Sequence, residues 1–153
     1  IAQLYATIAN DGVQITPHVV TRIDGQGPVE ATRTRIMPAR AARTLAQMLE
    51  GVVSDNGTGS AAAIPGYSVA GKTGTTKKID RDGTYSDSRY LSWFVGFAPV
   101  ANPRVLTLIM VDEPKGGQYY GGEVAGPAFA KLTARALTSL GAPMDRPAEA
   151  GAE

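Results

Sequence analysis

Gly71-Lys72-Thr73-Gly74-Thr75 lies midway along the chain and combines glycine, lysine and threonine in a way that few strands do. An apolar run, Tyr67 to Ala70, precedes it, and Lys77 and Lys78 follow it. The neighbouring residues favour a strand, and glycine inside a strand often marks a place where a ligand or another backbone comes close. An ammonium group, two hydroxyls and bare backbone on one strand therefore predict a cradle for an anion.

The composition predicts one globular domain. The chain has 153 residues, of which 43% are hydrophobic and 19% are charged, as in ordinary folded domains. The net charge of +1 predicts no strong attraction to nucleic acid. The absence of cysteine excludes disulfides, and the single histidine argues against a histidine-based metal site or a Ser-His-Asp triad within this chain. We therefore expect no histidine-based metal site and no nucleic-acid partner.

The first residues indicate that the sequence is a piece of a longer protein. Ile1 to Ala6 are already apolar and helical, without an initiator methionine or a polar lead-in. No apolar run approaches the roughly 18 residues that span a bilayer. Any membrane anchor is therefore expected to lie in another part of the parent protein.

Hydrophobic spacing predicts an α+β fold with helices near both ends. The predicted helices cover residues 1–10, 38–53 and 124–140, and the predicted strands cover 67–78, 90–98 and 104–111. Short connections imply that consecutive strands are antiparallel. The strand 104–111 is apolar on both faces, which is typical of the middle of a covered sheet.

Three further expectations concern the segments around these elements. The polar, turn-rich residues 79–88 (IDRDGTYSDS) predict a mobile surface loop. In the closing helix, Ala128, Leu132, Ala136 and Leu140 form one apolar row with Phe129 and Leu137 beside it, and the helix is expected to pack on the sheet. The domain is expected to end at residue 141, and residues 142–153 are expected to form a flexible tail.

Nucleotide binding is one interpretation of the lysine stretch. Gly66 to Thr73 (GYSVAGKT) match the phosphate-loop pattern G-x-x-x-x-G-K-[ST] letter for letter. Val105 to Glu113 (VLTLIMVDE) resemble an apolar strand that ends in a magnesium-binding acid. However, a phosphate loop follows a strand and opens a helix, whereas the residues after Thr73 cannot hold a helix. This alternative predicts that residues 72–75 form the first turn of a helix.

The other interpretation rests on Lys72-Thr73-Gly74, since K-T-G on a strand is a signature of penicillin-interacting serine acyltransferases. Several ordered segments resemble the end of a class B penicillin-binding protein, in particular the division-specific peptidoglycan transpeptidase, over nearly all of residues 1–141. These segments are Val52-Val53, Asn56 to Gly59, Val69 to Thr75, Trp93 to Pro99, Val111 to Pro114 and Tyr119 to Gly122.

The resemblance implies a fold and a set of partners. The fold is an antiparallel sheet flanked by helices on both faces, as in transpeptidases and serine β-lactamases. The partners are peptidoglycan stem peptides, β-lactam antibiotics, divisome proteins, and an upstream part of the same protein that carries S-x-x-K and S-x-N. The parent would sit in the bacterial inner membrane and face the periplasm. A module that has lost its serine and serves only in protein contacts is a further alternative.

The resemblance also assigns roles to residues of this chain. Lys72 and Thr75 are the predicted catalytic residues, and the backbone N–H of Thr75 is expected to form half of an oxyanion hole. Thr73 and Thr75 are expected to bind the substrate carboxylate, and Gly74 to admit the acyl chain. Tyr90, Tyr119 and Tyr120 are expected to form an aromatic wall around the acyl side chain.

The nucleophilic serine is not expected in this chain, because the sequence contains no S-x-x-K. Ser54-Asp55-Asn56 spells the middle motif S-x-N, but it lies too close to Lys72 and coincides with the family's glycine-rich loop. We therefore give Ser54 no catalytic role and expect the isolated fragment to be inactive.

Overall fold

The computed structural model describes residues 1–25, 27–28 and 30–146. The helices are α1 (Ala2–Ala9), α2 (Ala39–Glu50) and α3 (Gly121–Ser139), and the strands are β1 (Val13–Ile15), β2 (Arg22–Ile23), β3 (Gly27–Pro28), β4 (Arg33–Arg35), β5 (Ala70–Ile79), β6 (Tyr85–Ala98) and β7 (Val105–Asp112). Two short 3-10 turns, Gly51–Val53 and Ser60–Ala62, connect α2 to β5. No helix in these ranges is long and apolar enough to cross a membrane.

The main sheet has the order β5-β6-β7, and both pairings are antiparallel. Helices α1 and α2 contact one face of the sheet, and α3 contacts the other. The short strands form two separate pairs, β1 with β4 and β2 with β3. The predicted α+β architecture, an antiparallel sheet between helices, is therefore confirmed.

The central strand β6 divides the core into two halves because its side chains alternate between the faces. On one face, Phe94 is fully buried against Phe129 of α3, with ring centroids 4.7 Å apart. On the other face, Phe97 packs with Ile8 of α1 and Ala46 of α2. Phe94 and Phe97 therefore lie in different halves of the core.

The polar segment 79–88 is not the long loop that its composition predicts. Strand β5 continues to Ile79 and β6 begins at Tyr85, and these two residues pair across the hairpin after a register shift that follows Lys77. Only residues 80–84 connect the strands. Arg89 stabilises the hairpin by donating to Asp80 and to the carbonyl oxygen of Ile79. The polar side chains of this segment therefore form ion pairs across the β5–β6 hairpin, and the segment belongs to that hairpin instead of forming the predicted mobile loop.

Two packing predictions differ from the structure. Within the described residues, β6 is the middle strand and β7 pairs with β6 alone, although β7 was expected in the middle. Helix α3 buries the row Ala125, Phe129, Thr133 and Leu137. The predicted row, one residue earlier in register, instead leaves Leu132 52% exposed. Both rows are apolar enough to pack, and only contact with the sheet decides between them.

Residues 142–146 are docked against the domain, in contrast to the flexible tail predicted for them. Tyr67 donates its hydroxyl to the carbonyl oxygen of Ala142 at 2.8 Å, and the amide of Ser68 donates to Asp145 at 2.8 Å. Arg146 pairs with Glu50 at the end of α2. The rest of the predicted tail, residues 147–153, lies outside the described residues.

Candidate active site

Lys72, Thr73, Gly74 and Thr75 lie in the first half of β5, which forms an edge of the sheet. They pair in register with residues 92–95 of β6. The predicted extended conformation is therefore confirmed, and the phosphate-loop interpretation is wrong. A helix does not follow Thr73, so there are no helix N-terminal amides to hold a phosphate there.

The ammonium group of Lys72 lies at this edge beside Thr73. Its Nζ donates to the carbonyl oxygen of Thr73 at 3.0 Å and to Thr73 Oγ1 at 3.2 Å. Thr58, in the glycine-rich loop, places its own Oγ1 3.4 Å from Thr73 Oγ1. Lys77 and Lys78 of the same strand form ion pairs, whereas Lys72 has no carboxylate partner among the residues described. Its charge therefore remains available for a ligand.

Strand alternation puts Thr73 and Thr75 on the face that α3 covers, since Thr73 lies opposite Phe94 and Thr75 opposite Ser92. Thr75 Oγ1 accepts a hydrogen bond of 2.9 Å from the backbone N–H of Gly121, at the start of α3. A hydroxyl that accepts this bond keeps its own O–H free to donate. The structure thus leaves the donor of Thr75 available for an anion.

Gly74 lies under the indole of Trp93, its partner on β6. A Cβ at this position would overlap the indole ring. Two glycines at the start of α3 are also sterically constrained. A Cβ on Gly121 would overlap the carbonyl oxygens of Gly74 and Trp93. A Cβ on Gly122 would overlap the carbonyl oxygen of Thr58. Packing of these glycines brings the start of α3 directly onto the Lys72–Thr75 backbone.

Three tyrosines form an aromatic wall beside the edge strand, and we call Tyr90, Tyr119 and Tyr120 the tyrosine wall. The rings of Tyr90 and Tyr119 stack with centroids 4.3 Å apart and planes 14° apart, and Tyr120 follows at 4.6 Å from Tyr119. The hydrogen bond between the Tyr119 and Tyr120 hydroxyls raises the pKa of Tyr120. The structure therefore brings the three predicted wall residues together on the face of Thr75.

Ion pairs between β5 and the ends of β6 and β7 lie beside the tyrosine wall. Lys77 donates to Asp87 at 2.7 Å, which lowers the pKa of the Asp87 carboxyl. Glu113 follows the last residue of β7 and has left-handed backbone angles with φ at 50°. Its hydrogen bond to Lys78 at 2.9 Å holds the pKa of Glu113 below its ordinary value. These contacts lie where the loop 115–120 leaves the sheet.

Ser54 has a structural role. Its hydroxyl donates to the carbonyl oxygen of Gly51 at 2.7 Å, just beyond the end of α2. This bond satisfies one of the carbonyls that a helix end leaves free. Across residues 1–25, 27–28 and 30–146, no three His, Asp or Glu side chains cluster so as to hold a metal ion.

Comparison with known families identifies the family to which the chain belongs. The family model described as "Penicillin binding protein transpeptidase domain" matches residues 1–134. This chain belongs to the penicillin-binding protein transpeptidase family. Curated transpeptidases are similar along the same length. The peptidoglycan D,D-transpeptidase FtsI of Buchnera aphidicola is 39% identical over 137 residues, which are 90% of this chain and 24% of that protein.

Other members of the transpeptidase family show the same relation. FtsI of Escherichia coli K12 is 36% identical over 140 residues, which cover 92% of this chain and 23% of that protein. This chain therefore spans about a quarter of the length of these curated relatives.

Solved structures of transpeptidases confirm the fold. The apo transpeptidase domain of penicillin-binding protein 3 from Burkholderia pseudomallei superposes with a TM-score of 0.82 at 39% identity, covering 95% of this chain and 43% of that one. Penicillin-binding protein 3 from Mycobacterium tuberculosis, in complex with aztreonam, gives 0.82 at 32% identity, covering 99% and 37%.

Three residues that support the candidate site, Thr58, Ser92 and Gly121, are not singled out by the sequence. Thr58 and Gly121 lie in segments that resemble the family, and Ser92 lies in the predicted strand 90–98. Each of the three forms a hydrogen bond with a residue distant in sequence. Thr58 contacts Thr73, Ser92 contacts Tyr119, and Gly121 contacts Thr75. The only local signals are a serine inside an otherwise apolar strand and a pair of adjacent glycines.

Proposed function

We propose that this chain is the C-terminal part of the catalytic domain of a division-specific peptidoglycan D,D-transpeptidase. The reaction is acyl transfer. A serine oxygen attacks the carbonyl carbon between two D-alanines, the C–N bond breaks, and the terminal D-alanine leaves as the protonated amine. An amine of a second stem peptide then attacks the acyl-enzyme and releases the serine.

One observation carries this proposal: an exposed edge strand presents two hydroxyls and an ammonium group within four residues, and that ammonium group has no carboxylate partner in the described part of the chain. In the proposed mechanism the hydroxyls of Thr73 and Thr75 bind the terminal carboxylate of the peptide, or the matching carboxylate of a β-lactam. The N–H of Thr75 binds the developing oxyanion, a contact that typically contributes about 3 kcal/mol. Lys72 assists proton transfer to and from the serine that attacks.

The tyrosine wall supports a binding role for the acyl side chain. Tyr120 is 58% exposed, and the stacked rings form an apolar surface on the same sheet face as Thr75. Aromatic surfaces of this kind contribute a large buried area once a ligand covers them. Gly74 has two roles in this proposal, because it accommodates Trp93 on one face and leaves the strand edge open to the acyl chain.

We further propose that the nucleophilic serine comes from an upstream part of the same protein, with S-x-x-K and S-x-N. The outer edge of β7 supports this arrangement. Both faces of β7 are partly covered, although β7 pairs only with β6 in the described part of the chain. Strands of this apolar character are typical of a sheet interior, so an upstream strand on β7 would complete the sheet.

The proposed setting is septal cell-wall synthesis at the periplasmic face of the bacterial inner membrane, together with divisome proteins. No metal or organic cofactor takes part in the proposed reaction. The relatives named FtsI support the division role. The structure in complex with aztreonam is of another member, and it supports acylation of this protein by β-lactams.

Labelling with a fluorescent penicillin tests this function. The full-length protein should acquire a covalent label that survives denaturation and that prior incubation with unlabelled ampicillin blocks. The isolated chain of residues 1–153 should acquire none, since the serine lies elsewhere. A full-length protein that stays unlabelled would instead indicate the non-catalytic module.

A further inference from the structure

Two hydroxyls on neighbouring strands hold the segment Tyr119–Gly121 by its two ends. Thr75 of β5 and Ser92 of β6 lie directly opposite each other in the ladder. Thr75 Oγ1 accepts the amide hydrogen of Gly121 at 2.9 Å, and Ser92 Oγ donates to the carbonyl oxygen of Tyr119. This cross-strand pair therefore fixes the backbone on both sides of Tyr120.

Ser92 is an unusual residue for its place. Its side chain is 0% exposed in the central strand, next to Trp93 and the fully buried Phe94. A hydroxyl buried among apolar groups destabilises a fold unless it is hydrogen bonded. Here its hydrogen bond goes to the tyrosine segment, so the sheet interior supports the wall through this one side chain.

The segment depends on this support because the loop that leads to it offers little. Gly116 and Gly117 both have positive φ, at 101° and 87°, and a Cβ on either would meet nothing within 4 Å. Residues 115–118 are exposed. The position of the Tyr119 ring against Tyr90 is therefore set by the far end of the loop, where Ser92 and Thr75 bind.

We infer that Ser92 is a positioning residue for the tyrosine wall and that it thereby sets the preference for the acyl side chain of the ligand. The inference rests on the proposed function, in which the wall binds that side chain. Ser92 touches no reacting atom. Its removal should weaken recognition of bulky aromatic acyl groups and leave the chemistry of the β-lactam ring unchanged.

The test compares two β-lactams in the full-length protein. Benzylpenicillin carries an aromatic acyl group, and 6-aminopenicillanic acid has none. Ser92→Ala should lower the acylation rate constant for benzylpenicillin by about three- to tenfold, the equivalent of one hydrogen bond. The rate constant for 6-aminopenicillanic acid should stay within about twofold of wild type. An equal fall for both compounds, or no change for either, would overturn the inference.

Thr133→Val is the matched control. Thr133 is also 0% exposed, and its hydroxyl bonds Thr107 at 2.8 Å between α3 and β7, away from the wall. This variant also loses one buried hydroxyl, so it should lose comparable stability and leave the ratio of the two rate constants unchanged. A shift of that ratio in Thr133→Val would show that general destabilisation, and not Ser92, sets the preference.

Hydrogen exchange separates this inference from the proposed function. Amides of the segment Tyr119–Gly121 should exchange about three- to tenfold faster in Ser92→Ala than in wild type or Thr133→Val. Unchanged exchange would overturn the positioning role. If neither penicillin acylates the wild-type protein, the proposed function fails, and exchange alone then decides whether Ser92 fixes the segment.

Discussion

Lys72→Ala in the full-length protein should lower the rate of acylation by a fluorescent penicillin by about 10²- to 10⁴-fold, the usual contribution of a positioned acid or base. The physical reason is that Lys72 is the cation of β5 with no carboxylate partner in the described structure, and its Nζ lies against Thr73 at the strand edge. Its removal takes both a positive charge and a proton carrier from the place where the ligand carboxylate and the serine are proposed to meet. In-gel fluorescence over a time course measures this rate.

Lys77→Ala is the control for this substitution. Lys77 lies on the same strand and carries the same charge, but it is exposed and paired with Asp87. Exposed ion pairs contribute little, so this variant should label at a rate within about tenfold of wild type. Retained labelling in Lys72→Ala would show that the lysine assignment is wrong. An equal loss in both variants would point to general electrostatic attraction.

Gly121→Ala is expected to have the second largest effect. The added Cβ would overlap the carbonyl oxygens of Gly74 and Trp93, which belong to the paired backbone of β5 and β6 and cannot rotate away. Relief requires α3 to move off the strand, which breaks the 2.9 Å bond from the Gly121 amide to Thr75. A displacement of about 1 Å at such a site can cost about 10²-fold in rate, and overpacking typically destabilises a fold by about 1–3 kcal/mol.

Acylation rate and melting temperature together check this prediction, with Gly51→Ala as the control. Gly51 has helical dihedral angles, and a Cβ there would meet nothing within 4 Å. The control should retain both the acylation rate and the melting temperature of wild type. Normal acylation in Gly121→Ala would mean that the contact between α3 and β5 does not position Thr75.

Most of the fold could be predicted from local pattern because the pattern has a direct cause. Alternation along β6 separates Phe94 from Phe97, and the two rings do pack on opposite faces. The failures come from tertiary contacts. Segment 79–88 is polar, and only its pairing with β5 and the ion pair of Arg89 with Asp80 make it part of a hairpin.

The residues of the candidate site also divide into those that the local sequence predicts and those that only tertiary contacts reveal. Lys72 to Thr75 could be identified because an edge strand with this composition is unusual, and the tyrosines because two aromatics in a glycine-rich loop are hard to place in a core. Ser92 and Gly121 could not be identified, because their partners lie 27 and 46 residues away in sequence. Nothing in the residues around Ser92 indicates that the carbonyl of Tyr119 will come to it.

A crystal structure of the full-length protein acylated by ampicillin would locate the bound drug. We predict that the carboxylate of the drug lies about 2.7–3.2 Å from the hydroxyl oxygens of Thr73 and Thr75. The carbonyl oxygen of the acyl-enzyme ester should accept a hydrogen bond from the backbone N–H of Thr75. The acylated serine should lie outside residues 1–153. A carboxylate bound away from β5, or an adduct on a serine of this chain such as Ser54, would contradict the account.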